Sequence, residues 1–323
     1  MTAPSAPPLR IAVAGAGAFG RRHLDALAAI NDARVAAVVS RRLDQARQVA
    51  VEYGAQLATT DLAEVLDHDD IDAVILCTPT PLHAEQAVAV LRAGKHVQVE
   101  IPLADSWADT QRIAAAQRET GLICMAGHTR RFNPSHRWIR ARITDGDLCL
   151  RQLDVQTYFL RRRNLNLLGK PRSWTDHLLW HHAAHTVDLL RYQTGEEIVA
   201  AHALQGPIHP ELGIAMDLSV QLRTSGGALC TLSLSFNHDG PQGSVFRYIT
   251  DKGTYIARYD ELTTGHGEPV DLSAVRVPAN GIEGQDREFI AAISQGRRPE
   301  SDITSVLPSY RVLAGLHERL VPP

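Results

Sequence analysis

Between Leu9 and Arg42 the chain reads as an apolar run (Leu9-Arg-Ile-Ala-Val-Ala14), a glycine loop (Gly15-Ala-Gly-Ala-Phe-Gly20), a helical stretch over residues 21–30 and a second apolar run (Val35-Ala-Ala-Val-Val39). Few folds accept three glycines at this spacing between a strand and a helix. The arrangement predicts a βαβ unit in which Gly15 makes the tight turn, Gly17 admits a pyrophosphate against the backbone, and Gly20 lets the helix approach the strand. Ala18 and Phe19 complete the loop at the helix N-terminus, where free N–H groups and the helix dipole favour phosphate.

The end of the second run selects the nucleotide. An acid there would hold the ribose 2′-OH of NAD and repel a 2′-phosphate. The chain instead has Ser40, Arg41 and Arg42. A hydroxyl donor and two guanidinium forks suit a phosphate, and the reading is NADP.

Helical and apolar runs alternate as far as residue 126, with helices over 43–53, 61–66, 84–93 and 106–120 and strands over 72–77, 96–100 and 122–126. This alternation predicts a doubly wound parallel sheet of the Rossmann type. Beyond it the pattern changes. A basic amphipathic helix over 134–143, a strand over 149–158 and a long helix over 175–192 precede five strand runs (198–204, 216–222, 228–236, 246–250 and 254–258). Two helices, over 286–294 and 304–320, close the chain. Consecutive strands of this kind make an open, mostly antiparallel sheet. The α/β class is therefore an N-terminal Rossmann domain, 1–126, followed by an α+β domain, 127–323, and 323 residues suffice for two cores.

A net charge of −3 gives no global attraction to nucleic acid or to anionic membranes. No apolar run reaches membrane-spanning length. The four cysteines (Cys77, Cys124, Cys149, Cys230) lack CxxC spacing, which argues against a disulfide framework and suits the cytoplasm. Residues 1–8, rich in Pro and Ala, read as a frayed tail and not as a signal peptide.

In a doubly wound sheet, ligands sit at the carboxyl ends of the strands. The first such loop holds Thr78 and Pro79, placed to line the nicotinamide ribose and amide, and His83, which opens the next helix. A second loop, Glu100-Ile101-Pro102, ends a buried strand in an acid fit to hold a cofactor hydroxyl. The stretch from Trp174 to Asp188 carries His181 and His185, four residues apart on one helical face, with Asp188 three beyond. No glutamate follows His181 and no third ligand is nearby, so acid–base work is preferred to a metal. Either histidine is the base, with Asp188 to orient a ring. Basic residues cluster around them: Arg130 and Arg131 after His128, then Arg161, Arg162 and Arg163, with Lys170 and Arg172 beyond. Guanidinium groups capture carboxylates best, so an acidic small molecule is expected, held by Arg130, Arg131, Arg161 and Arg163 with His128 and Trp174 alongside.

In this order the glycine fingerprint, Glu100-Ile-Pro102, Gly127-His-Thr-Arg-Arg-Phe-Asn-Pro134 and the His185–Asp188 helix resemble the Gfo/Idh/MocA oxidoreductase family over essentially the whole chain. The resemblance implies a dehydrogenase that forms homodimers or larger assemblies. Two departures stand out: the family lysine is Ile101 and the family aspartate is His181. Both family residues help remove the hydroxyl proton of sugars and polyols. The runs over 99–109, 127–136, 171–185 and 206–216 resemble a narrower group in the family. That likeness implies NADP-dependent oxidation of a cyclic hemiacetal carrying two carboxylates. A sugar or polyol dehydrogenase and a non-catalytic NADP sensor are the rival readings.

Overall fold

The computed structural model describes residues 7–165, 169, 171–172, 174–275 and 280–320. Lys170 and most of the N-terminal tail lie outside the described residues. By internal contacts the chain divides into two units. The first holds the residues up to Gly127 together with Gln285–Ser305, and the second holds His128–Gly284 with the residues from Val306 onward. A linear boundary at 126/127 therefore misses a return. Residues 285–305 bring Asp286, Ser301 and Asp302 back against the first sheet, where Asp286 meets His23 and Ser301 donates to the Ala126 carbonyl at 2.8 Å.

In the first unit six strands lie parallel in the order β3-β2-β1-β4-β5-β6. They are β1 (Leu9–Ala14), β2 (Ala33–Val39), β3 (Leu57–Thr59), β4 (Ala73–Leu76), β5 (His96–Val99) and β6 (Cys124–Ala126). The helices between them are α1 (Ala18–Ala28), α2 (Leu43–Tyr53), α3 (Leu62–Leu66), α4 (His83–Arg92) and α5 (Trp107–Thr120). Ile11 to Ala14 and Ala73 to Leu76 are wholly enclosed, as central parallel strands covered on both faces must be. The order reverses between β1 and β4, which opens the crevice where such sheets bind ligands. Strand β3 escapes the sequence reading because three residues carry no periodicity; its pairing with β2 creates it.

The second unit carries a seven-stranded sheet in the order β13-β12-β11-β7-β10-β9-β8. Its strands are β7 (Leu150–Tyr158), β8 (Ile198–Gln205), β9 (Asp217–Thr224), β10 (Leu229–Ser235), β11 (Gly243–Thr250), β12 (Gly253–Arg258) and β13 (Glu261–Thr264). The central pair β7–β10 is parallel and the other pairs are antiparallel. Leu218, Val220 and Leu222 point inward while Ser219, Gln221 and Arg223 point outward, the period-2 pattern of a sheet with one covered face. Helices α6 (Pro134–Thr144) and α7 (Ala184–Thr194) pack together, α7 against β7 and α6 against β12 and β13. Helices α8 (Gly281–Gln295) and α9 (Ile303–Leu320) complete the described chain. The long helix expected over 175–192 is different. It starts as a π-helical turn, Leu178–Ala183, and only then becomes α7. No described helix is long and apolar enough to cross a membrane.

Two glycines are fixed by packing. Gly15 has φ +107°, and a Cβ there would stand 2.4 Å from the Cys77 carbonyl oxygen. A Cβ on Gly20 would stand 1.8 Å from the Gly15 carbonyl oxygen, whereas one on Gly17 would meet nothing within 4 Å. Gly20→Ala is therefore expected to destabilise the protein by about 1–3 kcal/mol through overpacking. Gly17→Ala, at a helix N-cap, should cost less than about 1 kcal/mol. Urea unfolding midpoints of the two variants check the difference.

Candidate active site

The carboxyl edge of the first sheet gathers the predicted nucleotide residues. Gly17 is exposed at the start of α1 with open space above it, and Phe19 beside it is exposed under the Arg22 guanidinium at 5.3 Å. This is the cradle a pyrophosphate needs. Gln45 locks the loop by donating to the Ala16 carbonyl at 2.8 Å, and Ser40 Oγ donates to Gln45 at 3.2 Å. Arg41 and Arg42 are exposed at the end of β2, and Arg42 leans on Asp44 at 2.6 Å. Such an exposed pair is weak and is readily exchanged for a phosphate.

The loop after β4 is held by its own side chains. Thr78 donates to Gln86 at 2.5 Å, and Pro79 leads into a 3-10 turn. His83 lies buried with Nδ1 2.7 Å from the Pro102 carbonyl and Nε2 2.8 Å from the Thr78 carbonyl. Both ring nitrogens are engaged by backbone, so His83 ties the two ligand-edge loops together.

Glu100 occupies the end of β5. Its Oε1 accepts from His23 Nε2 at 3.0 Å and from Gln285 at 3.3 Å, and its Oε2 accepts from the Ile101 N–H at 3.3 Å. A Cβ on Gly127 would stand 2.8 Å from Oε1. Burial opposes the charge of Glu100, yet the His23 contacts outweigh it and hold the carboxyl below its ordinary range. The sequence reading missed His23, Gln285 and Asp286. Only His23 left a trace, since residues 20, 23, 24 and 27 form the buried stripe of α1.

In the second unit the histidine helix is set by ion pairs. Arg131, on a 3-10 turn over Thr129–Arg131, clamps Asp188 with Nε and Nη2 at 2.7 and 2.6 Å, both side chains buried. Ser309 adds a bond to Asp188 at 3.3 Å. Burial raises the carboxyl and Arg131 more than reverses that, so Asp188 titrates below its ordinary range. The ring beside it is His128, with Nδ1 3.5 Å from Asp188. Two expectations change here. Asp188 does not orient His185, and Arg131 is not free for a ligand, because a bidentate charged pair is stronger than a bond to a neutral imidazole.

His185 packs edge-on to His128 at 6.0 Å, and its Nδ1 is enclosed with no hydrogen-bond partner. Burial, then the charge of Arg130 and the neighbouring histidines, push His185 well below the ordinary histidine range. The ring is therefore neutral at neutral pH. His181 differs: its ring stacks on Trp174 at 5.2 Å, and Nδ1 accepts the His177 N–H at 3.0 Å. A neutral ring so bound carries its proton on Nε2, so His181 presents a donor.

The arginines separate into three kinds. Arg130 lies over Tyr259 at 4.4 Å and Phe246 at 5.7 Å, with its Nε enclosed and unbonded, and burial lowers its pKa. Arg161, over Phe236 at 4.1 Å, converges with Arg172 and His182 on Asp176. Burial opposes the charge of Asp176, but His182 and Arg161 pull it far below the carboxylate range. That cluster has more cations than anions, and sequence spacing alone left Asp176, Arg172 and His182 unassigned. Arg163 is exposed.

Residues 9–128 match the model of an oxidoreductase family with an NAD-binding Rossmann fold, and residues 134–276 match that of bacterial oxidoreductases, C-terminal. The 4-carboxy-2-hydroxymuconate-6-semialdehyde dehydrogenase of Sphingobium sp. (strain NBRC 103272 / SYK-6) is 64% identical over 312 residues, covering 97% of this chain and 99% of the relative. Inositol 2-dehydrogenase of Rhizobium meliloti (strain 1021) is 31% identical over 310 residues, 89% of each chain. The fold matches the crystal structure of an oxidoreductase domain protein from Kribbella flavida with TM-score 0.82 at 23% identity, covering 97% and 96% of the two chains.

Asp188→Asn is expected to destabilise the protein by about 3–5 kcal/mol, because it leaves a buried guanidinium without its counter-charge. The sign with pH follows from the lowered carboxyl. The pair's contribution is present above the ordinary carboxylate pKa and is lost as pH falls through the depressed one. Urea unfolding of parent and variant at neutral and acid pH should therefore converge only on the acid side.

Proposed function

Because the chain belongs to the Gfo/Idh/MocA oxidoreductase family, we propose that it oxidises the cyclic hemiacetal of 4-carboxy-2-hydroxymuconate-6-semialdehyde to the lactone 2-pyrone-4,6-dicarboxylate, with NADP+ as acceptor. The observation that carries this reading is the 64% identity extending over 97% of the chain. The second unit supports it with a neutral histidine and two arginine sites, Arg130 and the Arg161–Arg172 cluster, for a substrate with two carboxylates.

The residues divide the work. Arg130 and the Asp176-centred arginines hold the carboxylates and fix the ring, with Trp174 and His128 as its walls. His185 takes the hydroxyl proton, and His181 donates a hydrogen bond from Nε2. As the hydroxyl proton leaves, the carbon releases its hydride and the C–O bond becomes the lactone carbonyl. The ring oxygen stabilises the positive charge that develops at that carbon, so a weak base suffices. The nicotinamide supplies the hydride acceptor. Gly15, Gly17, Ala18, Phe19 and Gly20 hold its pyrophosphate, Ser40, Arg41 and Arg42 its 2′-phosphate, and Thr78, Pro79 and Glu100 the nicotinamide half. Ile101 takes no proton, which leaves the acid–base work to the histidines. The free thiols of the four cysteines fit a cytoplasmic enzyme, and the open outer face of the second sheet fits assembly into a homodimer or larger oligomer.

Mixing protein, NADP+ and the semialdehyde should raise absorbance at the reduced-nicotinamide band; no rise with this substrate overturns the proposal. The double variant Arg41→Ala/Arg42→Ala should bind NADP+ about ten- to a hundred-fold more weakly, one or two charge-assisted bonds being lost. NAD+ affinity should hardly move, and equal weakening of both would return the cofactor reading to NAD.

The base has its own signature. His185 is depressed by burial and by cations, so kcat/KM should stay level through neutral pH and fall only below the ordinary histidine pKa, as the ring becomes charged. His185→Ala should cut kcat by about 10²–10⁴ and abolish that acid limb. His181→Ala should keep the limb and act mainly on KM. Rate profiles of both variants against pH decide between the two rings.

A further inference from the structure

His23 is fully buried on α1, three residues past the last glycine of the loop, and the dehydrogenation proposed above makes no use of it. Each of its ring nitrogens faces a carboxylate: Nδ1 lies 2.9 Å from Asp286, and Nε2 lies 3.0 Å from Glu100. Carboxylates only accept hydrogen bonds, so both nitrogens donate and the ring is an imidazolium. The groups around it are few. Asp286 comes from α8 and is steadied by Gln98 at 2.8 Å, Glu100 ends β5, and Cys77 follows β4.

We propose that His23 is a positioning residue that anchors Glu100 Oε1, so that Oε2 is presented to a hydroxyl of the cofactor's nicotinamide ribose. Three features support this. The two donors on Oε1, His23 and Gln285, come from elements well separated in sequence, so the carboxylate cannot rotate without losing both. Gly127 closes the space behind Oε1, since a Cβ there would come within 2.8 Å of it. Oε2 carries one long bond, from its neighbour's N–H at 3.3 Å, and retains acceptor capacity. The glycine loop that receives the pyrophosphate and the acid that receives the ribose are thereby joined through one side chain of α1. The proposal rests on Glu100 being a cofactor ligand, and the test separates the two ideas.

The asparagine amide overlays the Nδ1 position of histidine and the glutamine amide the Nε2 position. His23→Asn therefore keeps the bond to Asp286 and loses that to Glu100, while His23→Gln does the reverse. Equilibrium titrations on the full chain should use NADP+ and adenosine 2′,5′-bisphosphate, which lacks the nicotinamide half. His23→Asn and Glu100→Ala are each expected to weaken NADP+ about ten- to a hundred-fold, the value of a charge-assisted hydrogen bond. The double variant should be no weaker than Glu100→Ala alone. His23→Gln should stay near the parent, and the bisphosphate should bind all variants alike.

If Glu100→Ala binds NADP+ normally, the role of Glu100 falls and that of His23 falls with it. If Glu100→Ala weakens NADP+ but His23→Asn does not, only His23 is overturned. Equal loss of both ligands in His23→Asn assigns the ring to the fold and overturns the proposal. Should His23→Asn not fold, the double variant His23→Asn/Asp286→Asn, which removes the carboxylate left buried without an imidazolium and still lacks the bond to Glu100, carries the test; selective loss of NADP+ supports the proposal and any other result overturns it.

Discussion

The pairing of Arg131 with Asp188 governs the histidine-rich half of the protein. Two hydrogen bonds between buried, opposite charges fasten the turn after His128 to α7, and removing either charge would leave the other buried. Asp188 is committed to Arg131 and does not share a proton with His185. Arg131 is committed to Asp188, whereas its neighbour Arg130 lies on the faces of Tyr259 and Phe246 with its Nε unbonded. The ion pair thus occupies Asp188 and Arg131 together, while the depression of His185 comes from its burial, from Arg130 and from the neighbouring histidines.

The same division recurs around Asp176. A single buried carboxylate gathers two guanidinium groups and an imidazole, which fixes their long side chains before any ligand arrives. Arginine loses much rotamer freedom when it is ordered, and an acid that orders two of them in advance lowers the cost of binding an anion. In the first unit the roles invert, and one cation, His23, organises two acids. Buried charge here is used to aim other charges.

How much of this was legible in the sequence depends on its physical range. The βαβ unit was readable because its glycines, strand and helix are consecutive and each answers a local steric demand. Strand β3 was not, since its three residues become a strand only by pairing with β2. The arginines could be counted but not sorted: Arg131 looks like Arg130 until Asp188, 57 residues later, is seen to claim it. The π-helical turn at Leu178–Ala183 widens the helix just ahead of His185 and breaks the simple four-residue face that joined it to His181. Nothing in the local composition announces such a turn, because tertiary packing selects it.

The return of residues 285–305 to the first unit has a consequence for synthesis. A chain leaves the ribosome N-terminus first, and domains generally fold as they emerge. Here the first unit lacks Asp286, the partner of a fully enclosed histidine, until the chain has been made as far as α8. Until then His23 has one carboxylate instead of two, and the edge strand β6 lacks the bond its Ala126 N–H makes to Ser301. The unit whose synthesis begins first thus stays incomplete until α8 and the segment after it emerge, and a nascent chain stalled short of α8 would leave it open to chaperones and proteases.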